Sequence, residues 1–211
     1  MRDFKTSFGA DFLKAIQQGT LSYQYKNIPC FKNPLDIAIY MRLLSVERPK
    51  TIIEIGTKNG GSALLFSDLS KIMGLGCSII SIDINVPPSL DIENVRFIQG
   101  DILKIEEVFD KNQLHMLPRP WFVTEDSAHT FSACLHALTF FSINLQKGEM
   151  LAMEDGILSE LGLAEQYNGG PSRAIKEFLA QNPDSFDIET IYCDMFGFNA
   201  TYNPNGYLRK K

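Results

Sequence analysis

The sequence predicts an α/β fold: a seven-stranded, mostly parallel sheet that ends in an antiparallel C-terminal hairpin. Short apolar runs alternate with helical patterns through the middle of the chain. This alternation is typical of parallel strands joined by right-handed crossovers. Near the C-terminus, two apolar runs follow each other with only a turn between them, which predicts a hairpin.

The composition is that of one globular domain. The chain has 211 residues, 45% of them apolar, and a formal net charge of −5, so the basic surplus of a nucleic-acid-binding protein is missing. No apolar stretch approaches the ~20 residues that cross a bilayer, and the four cysteines are widely spaced. We expect a soluble, cytoplasmic protein with neither a nucleic-acid nor a membrane partner.

The chain divides into an N-terminal helical segment, 1–48, and a single globular unit, 49–211. The first part has an amphipathic stretch at 8–18 and a helix at 35–46 that Pro34 opens. The parallel strands are predicted at residues 51–55, 77–82, 95–98, 121–123 and 150–153. The hairpin strands are predicted at 186–193 and 199–208, around a turn at Phe196-Gly197. Five parallel strands closed by an antiparallel pair form the Rossmann-like arrangement of class I methyltransferases.

Acidic residues stand at or just past the end of each predicted parallel strand. They are Glu54, Asp83, Asp101, Asp126 and the pair Glu154-Asp155. The carboxyl ends of parallel strands meet at one edge of the sheet, where ligands of such folds bind. One acid in a turn is ordinary, but an acid at all five ends predicts a functional crevice.

The first loop predicts a binding site for S-adenosylmethionine. Glu54 precedes Gly56 as in the Glu-x-Gly loop of enzymes that use this cofactor, and glycines let the backbone approach a ligand. The predicted contacts in this loop are Glu54, Gly56, Thr57, Gly60, Gly61 and Ser62. A plain strand-to-helix turn is the alternative. The runner-up fold, an NAD-dependent dehydrogenase, is disfavoured because the loop lacks Gly-x-Gly-x-x-Gly.

Two later strand ends complete this predicted site. Asp83 follows the second strand, where a carboxylate accepts hydrogen bonds from ribose hydroxyls. Gly100 and Asp101 follow the third strand and would lie by the adenine. A helix N-cap for the segment from Ile102 is a nearly equal interpretation of Asp101.

Asp126, Glu154 and Asp155 predict a metal site. Carboxylates from two adjacent strand ends would repel one another unless a cation lay between them. A hard divalent ion with oxygen ligands, most plausibly Mg²⁺, resolves this repulsion. Solvent-facing carboxylates are the alternative.

His129 is the predicted general base. It stands three residues after Asp126, and the two side chains would lie close together if Ser127 began a helix. An imidazole titrates near working pH, which suits it to proton removal. A structural helix histidine is the alternative, and it is the interpretation that we favour for His115 and His136.

The chain resembles the cephalosporin hydroxylase family, a branch of the class I methyltransferase fold. The matching pieces are 32–36, Ile53-Glu54-Ile55-Gly56 with 60–63, 81–84, Gln99-Gly100-Asp101, 126–130, Met153-Glu154-Asp155 and 203–209. Relatives include macrolide-sugar O-methyltransferases, in which the counterparts of Asp126, Glu154 and Asp155 hold Mg²⁺ and that of His129 is the base. One departure is Glu125, an extra carboxylate that could alter metal ligation.

The leading hypothesis is O-methyl transfer from S-adenosylmethionine to a hydroxyl of a small molecule, a sugar or secondary metabolite. The alternatives are a metal-dependent hydroxylase, as the family name suggests, and a non-catalytic protein that binds S-adenosylmethionine. Three carboxylates suit Mg²⁺ better than iron, which commonly takes two histidines and one carboxylate. Gly169-Gly170-Pro171 suggests a lid that ends at a helix start, and the resemblance implies a homo-oligomer.

Overall fold

The computed structural model describes residues 2–85 and 90–211 as an α/β protein with one large sheet. The parallel strands are β3 (Thr51–Ile55), β4 (Ser78–Asp83), β5 (Val95–Gln99), β6 (Trp121–Glu125) and β7 (Met150–Met153). Strand β9 (Tyr207–Lys210) pairs antiparallel with β7 on one side and with β8 (Phe186–Ile188) on the other, and β8 forms the edge of the sheet. The strand order is β5-β4-β3-β6-β7-β9-β8, which confirms the predicted seven-stranded, mostly parallel sheet.

Both faces of the sheet are buried, because alternate side chains of each strand point to opposite faces. In β6, Trp121 and Val123 belong to one apolar core and Phe122 belongs to the other. The first core is covered by α4 (Ile105–Asn112), α5 (Phe131–Asn144) and α6 (Gly170–Gln181). The second is covered by α2 (Pro34–Glu47), α3 (Gly61–Ile72) and the short α7 (Thr190–Cys193). This explains why the strands read as continuous apolar runs.

The C-terminal hairpin prediction is wrong in its bounds and in its connection. The antiparallel pairing is present, with Ile188 opposite Leu208, but the segment predicted as strand 186–193 contains α7. Irregular chain fills 194–206, where a turn around Phe196-Gly197 and the start of a second strand were predicted. Buried polar residues such as Asn199 and Asn205 hold this segment by hydrogen bonds to its own and N-terminal backbone, and no alternating pattern signals such bonds.

The part of the chain before α2 packs over the carboxyl edge of the sheet. Helix α1 (Ala10–Ser22) leads into a small hairpin of β1 (Gln24–Tyr25) and β2 (Ile28–Pro29). Leu13 of α1 packs with Ile157 and Tyr202 in a separate apolar cluster. In the described part of the chain, no helix is both long enough and apolar enough to span a bilayer. The division at residue 48 stays a prediction.

Candidate active site

A cavity of about 560 Å³ opens at the carboxyl edge of the parallel strands. Most of the predicted site residues line it: Gly56, Thr57, Ser62, Asp83, Gly100, Asp101, Asp126, His129 and Asp155. Four predicted residues do not: Glu54, Gly60, Gly61 and Glu154. The cavity therefore lies at the edge of the sheet that the sequence predicted. The four residues that do not line it were predicted to contact the cofactor or the metal ion.

The first loop is held against the end of β6. Gly56 has φ +100°, and a Cβ on it would lie 2.1 Å from the backbone oxygen of Asp126, so only glycine fits this close approach. Gly61 meets the N-terminal segment instead, since a Cβ there would lie 2.2 Å from the carbonyl oxygen of Pro29. The two glycines let neighbouring backbones pack closely, and Gly56 also leaves its own backbone at the cavity wall.

Glu54 lies beneath the loop rather than in the cavity. Its side chain is fully buried and accepts a hydrogen bond from Ser81, which is also hydrogen-bonded to Thr57. Burial raises the pKa of this carboxyl, although the positive charge of Lys32 opposes the shift. Glu54 supports the loop from below, and its predicted direct contact with a cofactor stays a prediction.

Asp83 and Asp101 face the cavity from β4 and from the end of β5. Asp83 accepts hydrogen bonds from the backbone amides of Lys58 at 2.8 Å and Asn85 at 2.9 Å, so it fixes the first loop. Asp101 accepts a hydrogen bond from the amide of Leu103 at 2.9 Å. Asp101 is thus an N-cap, as the alternative interpretation held, and both residues line the cavity.

Asp126, His129 and Asp155 converge at one point. Each offers a ligand atom, and these atoms lie within 4.8 Å of one another. The His129 Nε2 atom is 3.7 Å from Asp126 Oδ1 and 3.6 Å from Asp155 Oδ2. Two carboxylate oxygens at this spacing are donors that a hard divalent cation takes, and the imidazole nitrogen lies beside them.

His129 reaches this point by a backbone turn. We expected a helix from Ser127, but α5 begins at Phe131, and His129 has a left-handed conformation with φ +54°. Its ring meets Tyr167 edge to face at 6.0 Å between centroids. Its Nδ1 atom is buried and has no hydrogen-bond partner among the described residues. The predicted proximity to Asp126 holds, for a different structural reason.

Burial and charge act in opposite directions on His129. Burial alone would lower its pKa, but the negative charges of Asp155 and Asp126 outweigh burial and raise the pKa. The protonated imidazolium is therefore stabilised in this site. A residue that must receive a proton during catalysis gains from such an environment.

Lys32 is a functional candidate that sequence reasoning did not single out. The side chain is 3% exposed, and its Nζ atom lies 2.5 Å from Asp126 Oδ2 and 2.7 Å from Glu154 Oε2. Burial would lower the pKa of Lys32, but the two carboxylates and Glu54 raise it well above its ordinary value, so the amine stays charged. The sequence feature that could have pointed to Lys32 was its place in the 32–36 stretch that matches the family, directly before the N-cap of α2.

Glu154 points to Lys32 rather than to the cavity. It is 4% exposed, and burial raises its pKa in spite of the attraction of Lys32. Glu125, the extra carboxylate, is also fully buried and accepts hydrogen bonds from the Ser127 side chain and amide. Glu125 therefore lies outside the cluster of Asp126, His129 and Asp155.

The segment before α6 closes one side of the cavity. Leu158, Leu161, Leu163 and Tyr167 line it, and the Tyr167 carbonyl accepts a hydrogen bond from the Phe131 amide at 3.0 Å. Gly170, with φ +56°, lies where a Cβ would be 3.1 Å from the His129 carbonyl oxygen. The predicted lid region thus contacts His129 directly; its mobility stays a prediction.

Comparison with known proteins places the chain in a family. A family model described as Rhamnosyl O-methyltransferase/CmcI matches residues 17–211. The chain belongs to this family. The chain is 26% identical over 191 residues to a rhamnosyl O-methyltransferase of Mycobacterium leprae, a match that covers 89% of this chain and 82% of the relative.

Solved structures agree with this family assignment. CmcI with Mg and SAM superposes with a TM-score of 0.71 at 29% identity, covering 90% of this chain and 77% of that one. A putative caffeoyl-CoA O-methyltransferase from Staphylococcus aureus, at 15% identity and a TM-score of 0.60, covers 97% and 93% and shares the fold. The predicted family and the predicted enzyme class, a methyltransferase that uses S-adenosylmethionine, are confirmed.

Proposed function

We propose that this member of the Rhamnosyl O-methyltransferase/CmcI family methylates a hydroxyl of a sugar-like small molecule with S-adenosylmethionine and Mg²⁺. The observation that carries the proposal is the convergence of Asp126, His129 and Asp155 within 4.8 Å, beside a cavity at the carboxyl edge of the sheet. The CmcI structure with Mg and SAM and the rhamnosyl O-methyltransferases support the choice of cofactors and acceptor.

The residues present fit S-adenosylmethionine. The cavity of about 560 Å³ is in the usual range for small-molecule sites. Gly56 exposes backbone at its wall, and Asp83 lines the cavity at the second strand end. These are the groups that would hold the amino-acid tail and the ribose of the cofactor. Gly100 and Asp101 would lie near its adenine.

The residues present also fit a divalent cation. Glu54, Asp126, Glu154 and Asp155 crowd around the cation Lys32 and His129, so negative charge exceeds positive charge when the acids are ionised. Unpaired buried carboxylates are costly, and a bound cation would remove that cost. Asp126 and Asp155 would be direct ligands. Glu154, the third predicted ligand, would have to share its carboxylate with Lys32.

The bound groups would supply an electrophilic sulfonium methyl and a positive charge that favours the ionised acceptor oxygen. His129 would accept the hydroxyl proton on Nε2, the nitrogen that faces Asp126 and Asp155. Tyr167 and Leu158 would exclude water and orient the acceptor, which brings the oxygen near the methyl.

The test is calorimetric titration with S-adenosylhomocysteine, run with Mg²⁺ and again with a chelator. Micromolar binding, about −8 kcal/mol, is the expected result. It would be followed by methyl transfer assays on glycosides of deoxyhexoses such as rhamnose. No binding under either condition would refute the proposal, whatever the acceptor.

The remaining parts of the proposal concern location and assembly. A small-molecule acceptor requires no nucleic-acid or membrane partner. The described cysteines, Cys30, Cys77, Cys134 and Cys193, are free and buried, which supports a reducing, cytoplasmic location. Assembly as a homo-oligomer stays a prediction that sedimentation would test.

A further inference from the structure

Lys58 stands in the turn that joins β3 to α3, at the wall of the cavity. The Thr57 carbonyl accepts a hydrogen bond from the Gly60 amide at 2.8 Å, which closes this turn. Lys58 has a left-handed conformation with φ +48°, and its amide donates a hydrogen bond to Asp83 Oδ2 at 2.8 Å. The backbone of Lys58 is therefore fixed within the first loop, two residues after Gly56.

An aromatic ring orients the side chain of Lys58. Its Nζ atom lies 4.3 Å from the centroid of the Phe31 ring, and Phe31 also lines the cavity. A cation over the face of such a ring is attracted by it. In the part of the chain that the structure describes, Lys58 forms no ion pair with an acidic side chain. The ammonium is therefore held beside the cavity without a carboxylate as its partner.

The charges around the cavity favour one place for an anionic group. Four carboxylates line the cavity, those of Asp83, Asp101, Asp126 and Asp155. Among the described residues, the lysines that line it are Lys32 and Lys58. Lys32 already pairs with Asp126, and His129 lies between Asp126 and Asp155. An anionic group of a ligand would be repelled by the aspartates and attracted by Lys58.

S-adenosylmethionine has one anionic group, the carboxylate of its amino-acid tail. Its sulfonium and its ammonium are positive and suit a cavity rich in aspartates, whereas the carboxylate needs a cation. The tail is proposed to lie along the backbone at Gly56, and Lys58 belongs to the same loop and the same cavity wall. Because the turn and the Phe31 ring already orient Lys58, little conformational freedom would be lost on binding.

We propose that Lys58 binds the carboxylate of the cofactor's amino-acid tail and that Phe31 holds the ammonium in place for this contact. The inference rests on the proposed function, because the ligand is the cofactor of that reaction. It adds a charged side chain to a loop whose other predicted contacts are glycines, hydroxyls and the buried Glu54. Lys58 thus makes the protein select ligands that carry the carboxylate over otherwise identical ligands without it.

The test removes the charge from the protein and the carboxylate from the ligand, separately and together. The variants are Lys58→Met, which keeps an unbranched side chain, and Lys58→Arg, which keeps the charge. The ligands are S-adenosylhomocysteine and decarboxylated S-adenosylhomocysteine, which retains the ammonium, and calorimetry measures both affinities. Lys26→Met is the matched control, because Lys26 has φ +49°, lies 5.8 Å from the centroid of the Tyr25 ring and does not line the cavity.

We expect the wild-type protein to bind S-adenosylhomocysteine about tenfold more tightly than the decarboxylated ligand. Lys58→Met should lose about tenfold in affinity for S-adenosylhomocysteine and nothing for the decarboxylated ligand, so that it no longer distinguishes the two. Lys58→Arg should keep the preference, and Lys26→Met should behave as the wild type. Because Lys58 is exposed, the preference should also weaken as the salt concentration rises.

The comparison of the two ligands separates binding of the carboxylate from support of the loop. An equal loss of affinity for both ligands in Lys58→Met would mean that Lys58 only supports the loop, and it would overturn the proposal. Equal affinity of the wild type for the two ligands, or a preference that survives in Lys58→Met, would overturn it as well. Wild-type protein that binds neither ligand, with or without Mg²⁺, would refute the proposed function itself.

Discussion

His129 owes its place to backbone conformation. It lies in the left-handed region directly before α5, where its ring stands between two carboxylates and against Tyr167. A non-glycine residue in that region carries strain, and such strain is common at functional sites. The sequence predicted the neighbours of His129 correctly but attributed them to helix geometry.

Replacing His129 by Ala tests its role as the base. We expect a loss of roughly 100-fold in kcat, because no other group would take the proton at that point. Affinity for S-adenosylhomocysteine should stay the same. His136→Ala is the matched control, since His136 is on α5 and pairs with Glu106. Equal turnover in the two variants would remove His129 from the mechanism.

Lys32→Met tests the buried charge balance. Removal of the ammonium leaves the buried Glu154 and the partly exposed Asp126 without their cation, which should cost about 3 kcal/mol of stability in the absence of metal. Mg²⁺ should then raise the melting temperature more in the variant than in the wild type. Lys71→Met, which breaks a surface pair with Glu93, should cost less than about 1 kcal/mol. A metal-free Lys32→Met protein as stable as the wild type would contradict this account.

At the scale of elements, the ends of β3 and β6 are fitted to each other through Gly56. Gly56→Ala should destabilise the protein by several kcal/mol and abolish cofactor binding, because the new Cβ would overlap the Asp126 carbonyl. Gly74→Ala is the control: its φ is also positive, but no atom lies within 4 Å of a Cβ there. The control should lose about 1 kcal/mol. If urea unfolding gave similar losses of stability for Gly56→Ala and Gly74→Ala, the positive φ alone would explain the need for glycine at position 56.

Elements that are stabilised by burial of apolar side chains could be predicted from the sequence, whereas those held by polar contacts could not. All five parallel strands and α2, α3, α5 and α6 could be predicted, because periodic apolar residues are buried on the sheet. The chain from 194 to 206 could not be predicted, because polar contacts between distant residues hold it. The same distinction applies within the site: acids at strand ends were visible in the sequence, whereas the pairing of Lys32 with Glu154 joins residues 122 positions apart.

At the scale of the whole molecule, Asp36 links the two ends of the chain. Its carboxylate accepts hydrogen bonds from the Thr201 side chain, the Tyr202 amide at 3.0 Å and the Tyr207 hydroxyl at 3.1 Å. Burial raises the pKa of Asp36 to about 6, against the effect of these three donors. This carboxyl thus holds its proton more tightly in the folded state than in the unfolded one, where its pKa is about 3.9.

The sign of the resulting pH dependence follows from proton binding. Between about pH 4 and pH 6 the folded state binds more protons at Asp36, so its contribution to stability falls as the pH rises and is constant above pH 6. In Asp36→Asn this loss is absent. We expect the stability of Asp36→Asn relative to wild type to rise by about 2 kcal/mol from pH 4 to pH 7. Urea unfolding at several pH values measures it, and a constant difference would contradict the raised pKa.

The position of Lys32 limits how the protein can be divided. The amine comes from the segment before α2, whereas its two acids come from the ends of β6 and β7. A fragment that starts at residue 49 would contain every strand of the large sheet but would lose α2 from the second core and the counter-charge of its own site. In protein engineering terms, the first 48 residues are not a removable module. A chimera that exchanges this segment with a family member should keep a lysine at the equivalent place, or supply another cation there.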